Sequence, residues 1–351
     1  MDRLQEIRKY LTKDQFGIEI GPWHSPITPK RDGYNCLVLD VFDTQTLRAR
    51  ATGDAFISPD KLASIEEVDL LGSSTELGDV VEREGLCGKI DYVVSSHNFE
   101  HLPNPVRFLQ GCEKALKEGG VLSMAIPDRR TCYDYFRPHS TLAAWLDAYF
   151  AGRERPSFAQ VFEHNSLHTL CHLDGEKCLT FSLSTDPSAM VPIPTLQEAF
   201  DTWKSRMQSG DASYYDAHCW TFTPSSFELL VSDLGFLGLT QLQIVEISRT
   251  NAFEFYAHLR KPKGAIVPLH RDAFYEKRLS LLHCVNSEAG YNTLEAFRVR
   301  TELNNALEKI AEQERVIESL KRETQHCRAE LQHVDGAIRE LIDRIPPENL
   351  P

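Results

Sequence analysis

The residues Gly17-Ile18-Glu19-Ile20-Gly21-Pro22, with Asp40 nineteen positions after Gly21, constrain this chain more than any other stretch. An apolar strand ends in an acid and a glycine. A second strand, Cys36-Leu37-Val38-Leu39-Asp40, ends in another acid. A doubly wound parallel sheet opens its ligand crevice at such strand ends. A dinucleotide there needs a glycine-rich loop whose backbone touches the pyrophosphate. Here Pro22 and Trp23 follow Gly21, and the next glycine is Gly33. Glu19 would also repel a diphosphate. The pattern disfavours a nicotinamide dehydrogenase and suits a cationic, phosphate-free ligand. Asp40 can accept from the two hydroxyls of a ribose.

Strands and helices keep alternating after this opening. Val68-Asp69-Leu70-Leu71, Ile90 to Ser96 and Val121 to Ile126 read as strands, and 1–14, 44–52, 75–83 and 103–118 as helices. The last of these helices has Pro105 in its first turn and Gly119-Gly120 past its end. Short loops between alternating elements predict a parallel sheet. Residues 128–217 break the rhythm and predict an insertion with helices near 141–151, 156–167 and 195–209. A helix at 224–234 and strands at 242–248 and 254–260 follow. The loop between those strands is too short for a parallel crossover, so they are expected to be antiparallel.

The predicted domain spans 1–262, with a connector at 263–293 that holds a helix near 271–283. Beyond it, Leu303, Leu307, Ile310, Ile317, Leu320, Thr324, Cys327, Leu331, Val334, Ile338, Leu341 and Ile345 recur at steps of three and four. One three–three step interrupts them near Leu320. This heptad seam predicts a coiled coil over 294–345. A helix of ~40 residues and ~60 Å is too long to fold back on such a domain, so self-association into a homo-oligomer is expected.

The formal net charge of −13 disfavours loose binding to nucleic acid or anionic lipid. The longest apolar run falls short of a membrane span. The nine cysteines form no CxxC pair and no apolar leader opens the chain, so a reducing cytoplasm is expected.

With GIEIGP (17–22), LVLD (37–40), IDYVVSSHNFEHLPNP (90–105), LKEGGVLSMAIPDRR (116–130) and the final hairpin, the chain resembles the class I S-adenosylmethionine-dependent methyltransferases over roughly 15–127 and 218–261. IPDRRTCYDYFRP and HCWTFTP resemble a bacterial subgroup associated with surface-glycan biosynthesis. The resemblance implies a Rossmann-like α/β fold whose seven-stranded, mostly parallel sheet has an antiparallel last strand, and S-adenosylmethionine as cofactor. It implies that Glu19, Gly21 and Pro22 line the methionine end and that Asp40 holds the ribose. Ser73 and Ser74 fall where many relatives place an acid against adenine. Ser95, Ser96 and His97 stand beside the transferable methyl, and Glu100-His101-Leu102 matches a recurring helix start.

Methyl transfer is an in-line displacement, and much of its rate comes from positioning. A base is needed where the acceptor loses a proton, as a sugar hydroxyl does. His97, Asp128 and His218 are the candidates. Arg129, Arg130 and Arg137, with Tyr133 among them, read either as a receiver for an anionic acceptor or as partners of nearby acids. His164, His168, Cys171, His172 and Cys178 cluster without CxxC or HExxH. They read as core or pocket residues, so no metal is expected. The expected function is methyl transfer to a small-molecule or glycan acceptor, most simply a sugar hydroxyl. The rival reading is a catalytically silent binding or assembly module oligomerised by its coiled coil.

Overall fold

The computed structural model describes residues 2–173, 175–211, 213–264, 270–291 and 293–344, and every count below refers to these. The chain divides into two compact units between residues 292 and 293. The first unit opens with α1 (Arg3–Ile7), β1 (Phe16–Ile20), β2 (Asn35–Asp40), α2 (Thr44–Thr52), α3 (Pro59–Ala63) and β3 (Leu70–Leu71). Then come α4 (Leu77–Arg83), β4 (Ile90–Ser96), α5 (Pro105–Ala115) and β5 (Leu116–Pro127). The insertion holds α6 (Leu142–Phe150), α7 (Phe158–Ser166), β6 (Thr169–Leu173), β7 (Glu176–Cys178), β8 (Met190–Pro192) and α8 (Leu196–Ser209). The unit closes with α9 (Pro224–Phe236), β9 (Gln243–Ile247), β10 (Glu254–Arg260) and α10 (Arg271–Tyr291).

Seven strands form one sheet in the order β3-β2-β1-β4-β5-β10-β9. β1 to β5 pair in parallel, and β10 runs antiparallel to both β5 and β9. The winding reverses between β1 and β4, so the carboxyl ends of these two strands border a crevice. Alternate residues feed two cores. Val93, Leu122, Met124 and Phe255 join one, under α4, α5, α6 and α9. Tyr92, Val94, Ala125 and Tyr256 join the other, with Ile7 of α1. Gly17 is required here, because a Cβ on it would stand 2.0 Å from the Tyr92 ring.

Several elements depart from the sequence reading. α1 stops at Ile7, whose carbonyl accepts from Ser123 Oγ at 2.5 Å, and Leu11 turns into the core beside it. α5 ends at Ala115 rather than residue 118, since Leu116 is fully buried and pairs with Ile90. Asn104 caps α5 by accepting from Arg107 N, a contact worth about 1 kcal/mol. The insertion is not all helical: β6, β7 and β8 form an antiparallel sheet in the order β7-β6-β8. The expected connector also belongs in part to the first unit. α10 packs on α9, with Phe236 and Phe274 stacked at 3.8 Å and Arg278 Nε donating to Asp233 at 2.9 Å.

The second unit is described by α11 (Leu294–Asp343), 50 residues long and so roughly 75 Å. Thr293 caps it by accepting from Ala296 N. Leu303, Leu307, Ile310, Leu331 and Ile338 are exposed along it. Ile345, the last seam position, lies outside the described residues. Among the described residues no helix is long and apolar enough to cross a membrane.

Candidate active site

A cleft of about 510 Å³ opens at the carboxyl ends of β1 and β4. Gly21 turns the chain away from β1 with φ +52°, and its nitrogen donates to Leu39 O. Only glycine enters this region without steric cost. A Cβ on Gly21 would lie 4.0 Å from Asp40 Oδ2, so glycine loop and β2 acid are neighbours, as their spacing predicts. Asp40 Oδ1 accepts from Phe42 N at 2.9 Å. Burial raises the Asp40 pKa, with backbone donors from Phe42 and Val41 opposing it.

Glu19 also borders the cleft, but its carboxylate is engaged. Oε1 accepts from Ile27 N, and Oε2 accepts from Thr28 N and Thr28 Oγ1. Burial raises its pKa against these three donors. Glu19 therefore pins the 22–28 loop around the cleft, in addition to supplying negative potential there.

At the end of β4, Ser95 is buried and Ser96 Oγ accepts from Arg3 Nη2 at 2.6 Å. His97 follows in the left-handed region at φ +48°, an uncommon conformation for a non-glycine residue. Its Nε2 bonds with Glu254 Oε2 at 2.8 Å, and its Nδ1 lies 3.4 Å from Glu100 Oε1. Burial disfavours charge on this imidazole, but Glu100 and Glu254 overcome it and raise the pKa to about 9.

The opposite wall comes from the chain returning out of the insertion. Cys219 N and Trp220 N both donate to Glu100 O, which draws His218 against the turn that carries Glu100 and His101. His218 Nδ1 bonds with Asp134 Oδ2 at 2.5 Å, and its Nε2 with Tyr133 Oη at 2.5 Å. Despite the penalty of burial, His218 and Arg137 hold the Asp134 carboxyl well below the usual range. His101 stands edge-on to His218 at 4.6 Å and bonds through Nδ1 with Asp216 at 2.9 Å. Tyr133 stacks on His168 at 4.6 Å. Glu19, Gly21, Pro22, Ser96, His97, Glu100, His101, Tyr133 and His218 thus share one cleft.

The family model described as a methyltransferase domain matches residues 4–241, which spans this sheet and cleft. The chain belongs to the methyltransferase-domain family. Its cofactor is S-adenosylmethionine, in keeping with the glycine turn, the β2 acid and the absence of a pyrophosphate loop. Solved structures with a similar fold include three S-adenosylmethionine-dependent methyltransferases. One from Thermotoga maritima, described as a possible histamine N-methyltransferase, has 19% identity over 36% of this chain and 51% of its own, with TM-score 0.25. One from Methanosarcina mazei has 13% identity over 74% and 97%, with TM-score 0.36. One from Aquifex aeolicus has 11% identity over 74% and 89%, with TM-score 0.36. No curated protein matches the chain.

The methyltransferase sorts its predicted site residues into distinct places. Ser73 and Ser74 lie at the end of β3. Ser73 Oγ accepts from Thr75 N, and Ser74 Oγ donates to Asn98 Oδ1. Two base candidates are engaged by charged neighbours. Asp128 is fully buried, and its oxygens accept from Arg130 N, Nε and Nη2 and from Thr250 Oγ1. The Glu100 and Glu254 carboxylates raise the His97 pKa to about 9, which disfavours a neutral, proton-accepting ring. Of the two readings of the arginines, the geometry matches partners of nearby groups: each guanidinium is engaged. Arg130 pairs with Asp128, Arg137 with Asp134 and Glu163, and Arg129 donates to Arg137 O and Tyr135 O. Tyr133 alone of that group reaches the cleft.

His164 and His168 do not share a helix face, because α7 ends at Ser166. Both pack around Tyr133, and burial lowers the His164 pKa to about 4. Cys171 faces Cys178 across β6 and β7, while His172 is exposed. Sequence reasoning missed Asp134, Glu254 and Arg3, which act through contacts remote in sequence. It also read Glu100 and His101 only as a helix start.

Proposed function

We propose that the chain transfers the S-adenosylmethionine methyl group to a hydroxyl of a small-molecule or glycan acceptor, a sugar hydroxyl being the simplest fit. The observation that carries this reading is His218. Its Nδ1 is anchored on a buried carboxylate, and its Nε2 is hydrogen-bonded to Tyr133 Oη, a neutral cleft-lining hydroxyl that an acceptor hydroxyl can replace. Such an imidazole can take the proton that an O–H acceptor sheds as the C–O bond forms. The Tyr133 ring, backed by His168, offers an uncharged aromatic wall to a sugar. Asp40 and Gly21 hold the ribose and methionine portions, with Ser96 and His97 near the methyl. Ser73 and Ser74 stand by adenine. The cysteines are free thiols, which supports a reducing cytoplasm, and the exposed stripe of α11 supports a homo-oligomer through a coiled coil.

The test measures S-adenosylhomocysteine formation with sugar, nucleotide-sugar, amine and carbon acceptors. We expect turnover on hydroxylated acceptors. In His218→Asn, turnover should fall by roughly 10²–10⁴ with cofactor affinity retained. Turnover confined to amines or carbon acids, or a fully active His218→Asn, overturns the reading.

A further inference from the structure

We propose that Glu100, His101 and His218 form a binding site for one divalent transition-metal ion in the acceptor half of the cleft. Each offers a ligand atom, and these atoms lie within 4.8 Å of one another. Glu100 Oε1 is 3.9 Å from His101 Nε2 and 3.9 Å from His218 Nε2. Zinc bonds to nitrogen and oxygen measure about 2.0–2.2 Å, so an ion among them asks each ligand to move inward by a few tenths of an ångström.

Three further observations point to an ion rather than to packing. Glu100 is completely buried, yet neither carboxylate oxygen makes a hydrogen bond among the described residues. Its nearest polar neighbour, His97 Nδ1, lies at 3.4 Å. A buried carboxylate ringed by three imidazoles, with only the 3.4 Å contact to His97 and no hydrogen bond to His101 or His218, is an incomplete arrangement. Second, both histidines have their outer nitrogen fixed by a carboxylate. His101 Nδ1 bonds with Asp216, and His218 Nδ1 with Asp134. Carboxylate partners of this kind orient metal-ligating histidines and set their tautomer. Third, the three residues come from both sides of the insertion and are brought together by the Cys219 N and Trp220 N bonds to Glu100 O, so backbone fixes the constellation.

Two imidazoles and one carboxylate favour zinc, cobalt, nickel or iron over magnesium or calcium. All three residues line the cleft, and an ion on His218 Nε2 would take the place of the hydrogen bond from Tyr133 Oη. The proposal rests on the methyl-transfer reading of this cleft. In loaded protein His218 Nε2 would hold the ion instead of taking the acceptor proton. The ion would lower the pKa of a bound acceptor hydroxyl, so that its proton leaves to solvent water while the oxygen takes the methyl group and S-adenosylhomocysteine departs.

The experiment uses the full chain without a histidine tag, stripped with chelator and titrated with Co²⁺ and then Zn²⁺. We expect one ion per chain, a visible Co²⁺ absorption band typical of nitrogen ligation, and displacement of Co²⁺ by Zn²⁺. His101→Ala and Glu100→Gln should each weaken binding at least about tenfold. His172→Ala, an exposed histidine outside the cleft, should leave it unchanged. S-adenosylhomocysteine binding, measured on the same samples, reports folding and the cofactor half separately. Absence of stoichiometric binding, or equal affinity in the parent and His101→Ala, overturns the metal site while leaving methyl transfer standing. Loss of S-adenosylhomocysteine binding in the parent would strike the functional reading itself.

Discussion

Replacing Glu254 by Gln removes one of the two charges that hold His97 as an imidazolium. In the folded chain Glu254 Oε2 lies 2.8 Å from Nε2, and the His97 pKa is raised to about 9, against an ordinary value of about 6.5. A folded pKa above the unfolded one stabilises the fold fully below the unfolded value, and this is lost as pH rises through the folded value. The His97 contribution is thus complete below about pH 6.5 and gone above about pH 9. The gap corresponds to roughly 3.4 kcal/mol at full strength. A third of the side chain is open to solvent, and screening reduces this to about 1–2 kcal/mol.

The assay is urea unfolding near pH 6 and again above about pH 9, followed by tryptophan fluorescence. All four tryptophans, Trp23, Trp145, Trp203 and Trp220, lie in the first unit, so the signal reports the cleft-bearing unit. Glu100 still acts on His97 in the variant, so we expect the parent to lose about 0.5–1 kcal/mol more than Glu254→Gln across that interval. Comparing slopes cancels the separate cost of breaking the Arg3–Glu254 pair. An NMR titration, assigned with His97→Gln, should place the parent imidazole near 9 and shift it toward its ordinary value in the variant. Parallel slopes, or a parent His97 that titrates near its ordinary value, would refute the electrostatic argument and restore His97 as a base.

Asp40→Ala should weaken S-adenosylhomocysteine binding by about 10–100-fold, the loss of hydrogen bonds to a charged group, with thermal stability nearly unchanged. Unaltered calorimetric affinity would remove Asp40 from the ribose site. Gly21→Ala places a Cβ at φ +52° and should cost about 1–2 kcal/mol in stability while weakening the cofactor. A variant as stable and as tight-binding as the parent contradicts the turn assignment. Deleting residues after 293 should leave cofactor affinity intact and give monomers by light scattering. An unchanged oligomeric mass would rule out α11 as the assembling element.

The crevice at the ends of β1 and β2 was legible because it is written in short stretches of chain. Gly21 and Asp40 sit at the ends of adjacent parallel strands, and register carries each to the same sheet edge. Apolar runs fix the strands, and a missing glycine pattern excludes a pyrophosphate. The acceptor half obeys no such local rule. Asp134 meets His218 across 84 positions, and Glu254 meets His97 across 157. Neither spacing leaves a periodic trace. The same reason explains why Asp128 and the three arginines misled. Their types and location at a strand end suit catalysis, but burial beside one another satisfies each charge internally, and a sequence does not display burial of charge. His218 shows the converse. Like its fellow candidates His97 and Asp128, it is a titratable residue beside the sheet edge. What separates it is that its carboxylate partner Asp134 meets Nδ1, while Nε2 meets only the neutral Tyr133 hydroxyl. The discriminating property is the direction in which a carboxylate approaches a ring, and only the folded chain supplies it.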